Sequence, residues 1–380
     1  MRTKTFFLDQ GETLGGAERF LLDFFQKLTP SETRRILPVV LGAKSKKYRI
    51  LLPNKIEVQD FIFPSVRGSF FKKLIIIFRL IKTARNLKKL AQAKNTQVFF
   101  SNTPRAHFVM FLAKKIFHIS GKWIVMNHDF TVPAFLLKSI ARTSDILIAN
   151  SIPCREHLRS VVNQKDFKKI RIIENGIDFS TIPNQAPAQE IKKILMLGRI
   201  DPRKGQMFAV QAAELLQASH SDVQFFIVGS PFKEDTRTMK YRDDILKFVH
   251  EKNIKNVHFL GEIDNPFEAI IGADCLLVLP TEPETFGRIV TEGLALGKLI
   301  ISFDETGPKD ILKNYELFLK TKQSLRIEKQ NPNALAKKIA FFADNPQDVQ
   351  FFTQKAREFV KKNFSLDETK KRLVNVILED

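Results

Sequence analysis

Short apolar runs alternate with longer amphipathic stretches along nearly the whole chain, and the alternation starts afresh near the middle. In a βαβ unit each short run becomes a buried parallel strand and each amphipathic stretch becomes a helix that crosses back over the sheet. The first series has its runs at 5–9, 36–42, 56–61, 97–101, 123–128 and 145–151. The second series has them at 193–199, 223–229, 257–261, 275–280 and 298–304. The pattern predicts an α/β protein with two Rossmann-like, doubly wound parallel sheets that face each other across a cleft.

The length of the chain also favours two domains. Its 380 residues exceed the ~250–300 at which a single hydrophobic core usually stops growing. Between the two series lies 179–190, which has two prolines and no periodicity and is predicted to be an interdomain linker. We therefore place the first domain at 1–180 and the second at 181–363. Residues 348–380 are predicted to form two charged amphipathic helices, of which the last, 364–380, is expected to rejoin the first domain.

The cysteines and the apolar segments indicate the compartment. Cys154 and Cys275 are the only cysteines, with no Cys-x-x-Cys pair or Cys/His cluster, which argues against a disulfide framework or a structural zinc. The apolar run near the N-terminus is shorter than the ~7–15 residues of a signal-peptide core, and no stretch approaches the ~18 of a membrane span. We expect a cytoplasmic protein that does not cross a bilayer.

The formal net charge of +20 is concentrated in the first half. Residues 1–190 hold 32 Lys and Arg against 14 Asp and Glu, whereas residues 191–380 hold 29 against 27. Between Phe61 and His128 there are 13 Lys and Arg and no Asp or Glu. Such a field attracts anionic surfaces, and both nucleic acid and acidic lipid are candidates.

The strongest chemical signal is the segment PTEPETFGRIVTEG at 280–293, where a strand ends and a helix begins. Glu284 lies in the loop and Glu292 lies on the helix after seven intervening residues, so both carboxylates can point into one pocket. Gly287 permits close approach of a ligand, and the open amides at the helix start favour a phosphate by ~0.3–1 kcal/mol per charge. The two carboxylates can accept hydrogen bonds from sugar and ribose hydroxyls.

A second signal is LMLGRIDPRKGQ at 195–206. The predicted strand ends at Gly198 and Arg199, and Lys204 lies at the start of the next helix, so two cations are expected at the same edge of the sheet. They can neutralise a diphosphate, and their charge-assisted hydrogen bonds can stabilise the charge that grows on a departing nucleotide.

Two weaker signals lie in the first domain. In GETLGGAERF, residues 11–20, Gly15 and Gly16 allow a tight turn from the first strand into a helix whose amides face the ligand side of the sheet. His128 ends a predicted strand at that same edge, where it can hydrogen-bond a sugar. A purely structural turn is the alternative for both.

Together these motifs resemble those of retaining glycosyltransferases with the GT-B fold, a group that includes bacterial glycan, lipopolysaccharide and glycolipid mannosyl- and glucosyltransferases. Residues 280–293 resemble the family's Glu-x7-Glu motif, 195–206 its phosphate clamp and 11–20 its N-terminal glycine loop. The resemblance implies a two-domain GT-B hexosyltransferase that moves a sugar from a nucleotide-diphosphate sugar to a glycan or lipid-linked acceptor, with retention of configuration and without a cofactor.

The same resemblance implies roles for individual residues. Glu284 is expected to bind sugar hydroxyls, Glu292 the nucleotide ribose and His128 the transferred sugar. The residues expected to act in catalysis are His128, Arg199, Lys204 and Glu284. Those expected to bind the donor are Gly15, Gly16, Arg199, Lys204, Glu284, Phe286, Gly287, Arg288 and Glu292. The sequence has no Asp-x-Asp pair of the kind that holds a metal-bound diphosphate, so we expect no metal and charge neutralisation by Arg199 and Lys204.

Other functions remain open at this point. The basic first half also suits a nucleic-acid-binding protein, but no nucleic-acid-binding motif is present, so we expect no nucleic acid partner. Among enzymes, a sugar-nucleotide epimerase or a phosphorylase of the same fold is an alternative. A phosphorylase needs a pyridoxal-phosphate lysine, for which the sequence shows no signature.

The stretch 70–90 predicts a helix whose apolar stripe packs on the sheet while its cations face outward. The expected stripe is Leu74, Ile77, Phe78, Ile81, Ala84 and Leu87. The cations are Lys72, Lys73, Arg79, Lys82, Arg85, Lys88 and Lys89. Each contributes about 1 kcal/mol near an acidic bilayer, so we predict reversible, electrostatic docking on the inner face of the membrane.

Overall fold

The computed structural model describes residues 2–11, 15–64, 70–232, 234–263 and 265–379, with side chains for all of these except 70–74 and 266. The chain divides into two compact units. Unit 1 comprises Met1–Gly176 and Leu366–Asp380, and unit 2 comprises Ile177–Ser365. The sequence-based boundaries after residues 180 and 363 lie a few residues away from these divisions.

Unit 1 is an α/β unit built on one parallel sheet. Its strands are β1 (Thr5–Asp9), β2 (Pro38–Gly42), β3 (Glu57–Gln59), β4 (Val98–Ser101), β5 (Lys122–Asn127), β6 (Ile146–Ala149) and β7 (Ile170–Ile172). Its helices are α1 (Gly16–Lys27), α2 (Pro30–Ile36), α3 (Lys46–Leu51), α4 (Phe70–Ala93), α5 (Pro104–Phe117), α6 (Ala134–Thr143) and α7 (Ile152–Val161). A 3-10 turn at Gln164–Lys169 and the C-terminal helix Leu366–Leu378 complete the described part. The described strands follow the order β3-β2-β1-β4-β5-β6-β7.

Successive residues of a strand point to opposite faces of the sheet, so apolar strands present two faces that must be buried. Helices cover both faces here. Phe6 and Leu8 belong to one buried cluster, whereas Phe7 between them belongs to the cluster on the other face. Every residue of β1 is buried, which is typical of parallel strands enclosed on two sides and explains the apolar run at 6–8.

The C-terminal helix completes one of these two clusters. Leu373 and Ile377 are buried in the cluster that contains Phe7. The chain passes close to this helix at Gly176, where an added Cβ lies only 2.4 Å from the Cα of Leu366. Only glycine permits that approach, which accounts for the glycine at position 176.

Unit 2 repeats the architecture with its own sheet. Its strands are β8 (Lys193–Leu197), β9 (Gln224–Val228), β10 (Val257–Gly261), β11 (Cys275–Val278), β12 (Leu299–Phe303) and β13 (Arg326–Ile327). Its helices are α8 (Gln206–Leu216), α9 (Thr236–Glu251), α10 (Pro266–Gly272), α11 (Arg288–Ala295), α12 (Thr306–Phe318), α13 (Pro332–Asp344), α14 (Pro346–Thr353) and α15 (Ala356–Asn363). Within the described residues the strands are all parallel, in the order β10-β9-β8-β11-β12-β13. The prediction of two parallel α/β sheets is confirmed.

Some local predictions are wrong. The short edge strands β7 and β13 were not predicted, because runs of three and two residues carry too little periodicity to recognise. The predicted strand at 36–42 begins two residues too early, since helix α2 still includes Ile36 and Leu37 ends it at a φ of 43°. Residues 348–380 contain parts of three helices, not two, because α14 ends at Thr353 and α15 begins at Ala356.

The buried stripe of α4 also differs from the predicted one. Ala84 and Leu87 are fully buried as expected, together with Leu80, which lies four residues before Ala84. Ile77 and Phe78, which were expected to be buried, are 52% and 69% exposed. The burying face therefore runs along a different line of the helix and leaves apolar side chains at its N-terminal half in solvent. The side chains of Lys72, Lys73 and Leu74 lie outside the described residues.

Candidate active site

In each sheet the strands are added first on one side and then on the other side of the first strand, so the strand order reverses there. In unit 2 the chain runs from β8 to β9 on one side while β11 lies on the other, and in unit 1 β1 lies between β2 and β4. Ligands of open α/β sheets bind beyond the carboxyl ends of the strands at such reversals. The loops after β8 and β11 carry most of the predicted donor residues, and those after β1 and β5 carry the remainder.

The loop after β8 forms a 3-10 turn, Pro202–Lys204. The buried carboxylate of Asp201 accepts hydrogen bonds from the backbone N–H of Arg203 at 3.0 Å and from its guanidinium at 2.7 Å. Burial acts to raise the pKa of Asp201, but the hydrogen bonds from Arg203 outweigh it and lower that pKa. Thr281, which follows β11, donates its N–H to the carbonyl of Arg203 at 3.0 Å. The turn that carries Lys204 is thus tied to the neighbouring loop.

Gly205 ends this turn in the left-handed conformation, with a φ of 75°. A Cβ at this position lies 2.3 Å from the carbonyl oxygen of Leu279. Any other residue meets both backbone strain and a clash with main chain. The glycine after Lys204 is therefore needed to bring the loops after β8 and β11 together.

Lys204 and Glu284 meet at the reversal in unit 2. The Lys204 Nζ donates to Glu284 Oε2 at 3.0 Å, and both side chains are partly exposed. Thr306 fixes the backbone of Glu284 on both sides, since its hydroxyl accepts from the Glu284 N–H at 2.8 Å and donates to the Glu284 carbonyl at 2.7 Å. The structure places a cation and a carboxylate from two loops side by side.

The other predicted donor residues of the 280–293 motif lie on α11 or directly before it. Gly287 precedes α11 in the left-handed conformation, with a φ of 87°. Glu292 accepts a hydrogen bond from Arg288 Nε at 3.3 Å, so the two predicted donor contacts face each other along the helix. Phe286 is only 3% exposed and packs edge-on against Phe364. Its side chain packs in the core of unit 2.

Arg199 lies two residues beyond the end of β8 and is exposed. Its guanidinium is 4.9 Å from the ring centroid of Phe232, a cation–π contact that holds it against unit 2. Its carbonyl accepts from Gln206 Nε2 at 2.9 Å. Arg199 and Lys204 thus flank the same loop, and an exposed guanidinium retains its capacity to bind phosphate.

Gly15 and Gly16 do not use the conformational freedom from which a tight turn was predicted, and residues 12–14 of that turn lie outside the described residues. Gly15 has a φ of −96°, which other residues adopt, and a Cβ on Gly16 meets no atom within 4 Å. Gly15 instead caps α1, where its N–H donates to Glu18 Oε2 at 3.0 Å. Open space beside Gly16 at a helix N-terminus leaves room for a ligand to approach the amides.

A pocket of about 190 Å³ lies at the carboxyl ends of β1, β4 and β5 in unit 1. It is lined by Gln10, Ala17, Glu18, Asn102, Thr103, Pro104, His107, Asn127, His128 and Asp129. His128 Nε2 lies 2.7 Å from Asn102 Oδ1, and its ring packs edge-on against Phe20 at a centroid distance of 5.3 Å. The predicted sugar contact therefore lines a pocket with a fixed ring orientation.

Buried polar groups surround this pocket. Burial, and then the charge of Glu18, raise the pKa of Asp9 to about 7 although Tyr48 donates a hydrogen bond to it at 3.0 Å. Burial lowers the pKa of His107 to about 3, so that imidazole is neutral at physiological pH. Asp9 is hydrogen-bonded to Asn102, which in turn contacts His128, and His107 lines the same pocket.

Sequence reasoning missed several residues of both sites. Asn102 directly follows the strand at 97–101, and that position alone is a usable signal for a polar residue at the ligand edge. Glu18 forms a capping box with Gly15 and is recognisable from its spacing. Thr306 is the first residue of α12, and its contact with Glu284 depends on tertiary structure that no local pattern reveals.

Two further features concern metals and membranes. Over the described residues, no group of three or more His, Cys, Asp or Glu side chains is arranged to hold a metal ion. Among the helices that the structure describes, none combines the length and the apolar character needed to span a bilayer.

Solved structures define the class of this fold. The Anabaena protein Alr3699/HepE, whose structures hold UDP or UDP-glucose, superposes with TM-scores of 0.80 and 0.78 at 19% and 18% identity, over 99% of both chains. The two parallel sheets and this likeness establish the GT-B fold. Residues 178–359 match the family model described as glycosyl transferases group 1, and residues 14–181 match the model described as glycosyltransferase family 4. The two glycosyltransferase models together span most of the chain, which places it among the glycosyltransferases, and its second half matches group 1.

Curated relatives agree with this assignment. A poly(ribitol-phosphate) alpha-N-acetylglucosaminyltransferase of Staphylococcus aureus is 25% identical over 219 residues, which cover 57% of this chain and 41% of the relative. A phosphatidyl-myo-inositol mannosyltransferase of Mycobacterium tuberculosis is 28% identical over 246 residues, 62% of each chain. The matched region thus spans less than two thirds of the length of these two relatives.

Proposed function

We propose that this glycosyltransferase takes its sugar from a nucleotide-diphosphate donor and transfers it, with retention of configuration, to a glycan or lipid-linked acceptor. The observation that carries the proposal is the Lys204–Glu284 pair, 3.0 Å apart at the strand reversal of unit 2. A cation beside a carboxylate suits a donor in which a phosphate adjoins a ring of hydroxyls. The UDP and UDP-glucose complexes of the structurally similar Anabaena protein support the same class of donor.

In the proposed reaction, the bond between the anomeric carbon and the diphosphate oxygen breaks, and its electron pair stays on the phosphate. The acceptor hydroxyl attacks on the same face, and its proton passes to the departing phosphate oxygen. Lys204 and Arg199 stabilise the growing negative charge, as positioned cations do in other phosphate-releasing sites. Glu284 orients the sugar hydroxyls, and Glu292 binds the ribose from the first turns of α11. His128 is the proposed sugar contact in the pocket of unit 1.

We propose further that the acceptor lies at a membrane surface. Ile75, Ile77 and Phe78 are exposed on α4 beside the exposed cations Arg79 and Lys82. Apolar side chains flanked by cations favour the interface of an anionic bilayer, where each cation adds about 1 kcal/mol. This revises the sequence-based prediction, because insertion of apolar side chains joins the electrostatic attraction.

Transfer is tested by incubation with labelled UDP-, GDP- and ADP-sugars, with and without glycan and lipid-linked acceptors. We expect acceptor-dependent release of the nucleotide from one donor class, unaffected by EDTA. NMR of the product then reads the anomeric configuration. Inversion contradicts the retaining mechanism, and inhibition by EDTA that Mg²⁺ restores contradicts neutralisation by Lys204 and Arg199.

Membrane docking is tested separately by co-sedimentation with vesicles that contain or lack phosphatidylglycerol. Binding is expected only with the anionic lipid, and the double variant Arg79→Glu/Lys82→Glu should lose it. The matched control is Lys361→Glu/Lys362→Glu, which reverses two exposed charges on α15 of unit 2. Equal loss in both double variants points to net charge alone, and binding that ignores lipid charge contradicts the proposal.

A further inference from the structure

Asn102 links the pocket residue His128 to the interior of unit 1. It is 1% exposed and follows β4, between the ends of β1 and β5. Its Oδ1 lies 2.7 Å from His128 Nε2, and its Nδ2 donates to the carbonyl of Ala17 at 3.0 Å and to Asp9 Oδ2 at 3.4 Å. One side chain therefore joins three strand ends and the first helix.

The partners of Asn102 determine which way its amide points. Both hydrogens of Nδ2 are directed at oxygen acceptors, the Ala17 carbonyl and the Asp9 carboxylate. Reversal of the amide turns Oδ1 towards those oxygens and is unfavourable. Since Oδ1 can only accept, the His128 Nε2 that faces it must carry a proton.

Asp9 is itself held in place. Tyr48 donates its hydroxyl to Asp9 Oδ2 at 3.0 Å, and the Gly11 N–H donates to Oδ1 at 3.3 Å. Asp9 is fully buried, and its position at the end of β1 is fixed by sheet pairing with Gly42. A rigid acceptor beneath Asn102 therefore maintains the amide orientation from the core outwards.

We propose that Asn102, supported by Asp9, is a positioning residue that fixes His128 in the tautomer protonated on Nε2, in which Nδ1 can only accept a hydrogen bond. The contact with sugar rests on the proposed function, whereas the tautomer does not. A neutral His128 in this state accepts a hydrogen bond from a sugar hydroxyl and does not donate one.

The tautomer is measured directly by ¹⁵N NMR of the full-length protein labelled at its seven histidines, with His128→Gln to assign the resonances. The wild type should show the proton on Nε2 at neutral pH. Asn102→Ala should give a mixture of the two tautomers. The control Asn256→Ala removes a comparably buried amide from unit 2 and should leave His128 unchanged. An unchanged tautomer in Asn102→Ala, or a wild type protonated on Nδ1, overturns the proposal.

Kinetics supply the second test. Because one hydrogen bond is worth about 1 kcal/mol, Asn102→Ala should lower kcat/KM roughly fivefold to tenfold. Added to His128→Ala, it should cause little further loss, because its effect acts through the imidazole. Independent, multiplicative losses contradict the positioning role. If no donor supports turnover, the proposed function fails while the NMR result still decides the tautomer.

Discussion

Replacement of Lys204 separates a chemical role from a structural one. The ion pair with Glu284 is partly exposed, with side-chain exposures of 44% and 27%, so its loss should cost no more than about 1 kcal/mol of stability. For a unit of this size that lowers Tm by about 2–4 °C at most. If Lys204 stabilises the leaving diphosphate, Lys204→Ala should instead lower kcat about 10²- to 10³-fold, as the loss of one transition-state donor typically does.

The assay pairs thermal melts with turnover of a nucleotide-sugar, and unit 2 offers a matched control. Lys252 forms an ion pair with Glu214 at 3.5 Å, with exposures of 51% and 28%, remote from the reversal between β8 and β11. Lys252→Ala should show the same small change in Tm and full activity. The reasoning is refuted if Lys204→Ala retains more than a tenth of wild-type turnover, or if Lys252→Ala loses as much activity as Lys204→Ala.

Three further predictions follow from individual side chains. Glu292→Ala should weaken binding of the free nucleoside diphosphate, whereas Glu284→Ala should weaken binding only of the complete sugar donor. Isothermal calorimetry measures both affinities. Equal losses for both ligands in both variants contradict the separate roles in ribose and sugar binding. Asp9 has a folded pKa of about 7, above the 3.8 of an ordinary Asp, so folding favours its protonated form and wild-type stability falls as pH rises through this interval. Asp9→Asn should therefore gain relative stability between pH 5 and pH 8, by roughly 3 kcal/mol at most. A pH-independent difference in denaturant melts contradicts the cause given. Gly205→Ala should lower the free energy of unfolding by about 2–4 kcal/mol, because the added Cβ lies 2.3 Å from a backbone oxygen. Gly16→Ala adds a Cβ in open space, so this variant should fold normally but bind the donor poorly. Thermal melts and calorimetry on both variants test these two outcomes.

The fold was predictable because parallel strands that are buried on both faces leave apolar runs in the sequence. Residues 6–8 are such a run at the centre of β1, and the predicted bounds 5–9 agree with that strand at both ends. The edge strand β13 has two residues, one of them Arg326, and its identity comes only from pairing with β12. Local pattern therefore determines the central strands, while tertiary pairing determines the edges.

The candidate site shows the same division. Lys204 and Glu284 were predicted from motifs on separate loops, and the structure joins them directly. Asn102 was missed because its role depends on Asp9 and His128, which are distant along the chain and adjacent only across the sheet. The exposed Phe78 was misassigned because the sequence shows that α4 is amphipathic but does not determine which line along it meets the sheet.

The central claim, that unit 2 binds a nucleotide-sugar through Lys204, is tested most directly by thermal shift with a panel of UDP-, GDP- and ADP-sugars. A donor at about 100 times its dissociation constant stabilises the protein by about 2.7 kcal/mol, which is a readily measured rise in Tm. We expect one nucleotide class to raise the Tm of the wild type and to have little effect on Lys204→Ala at the same concentration. A panel in which no donor shifts the wild type, or in which both proteins shift equally, contradicts the claim.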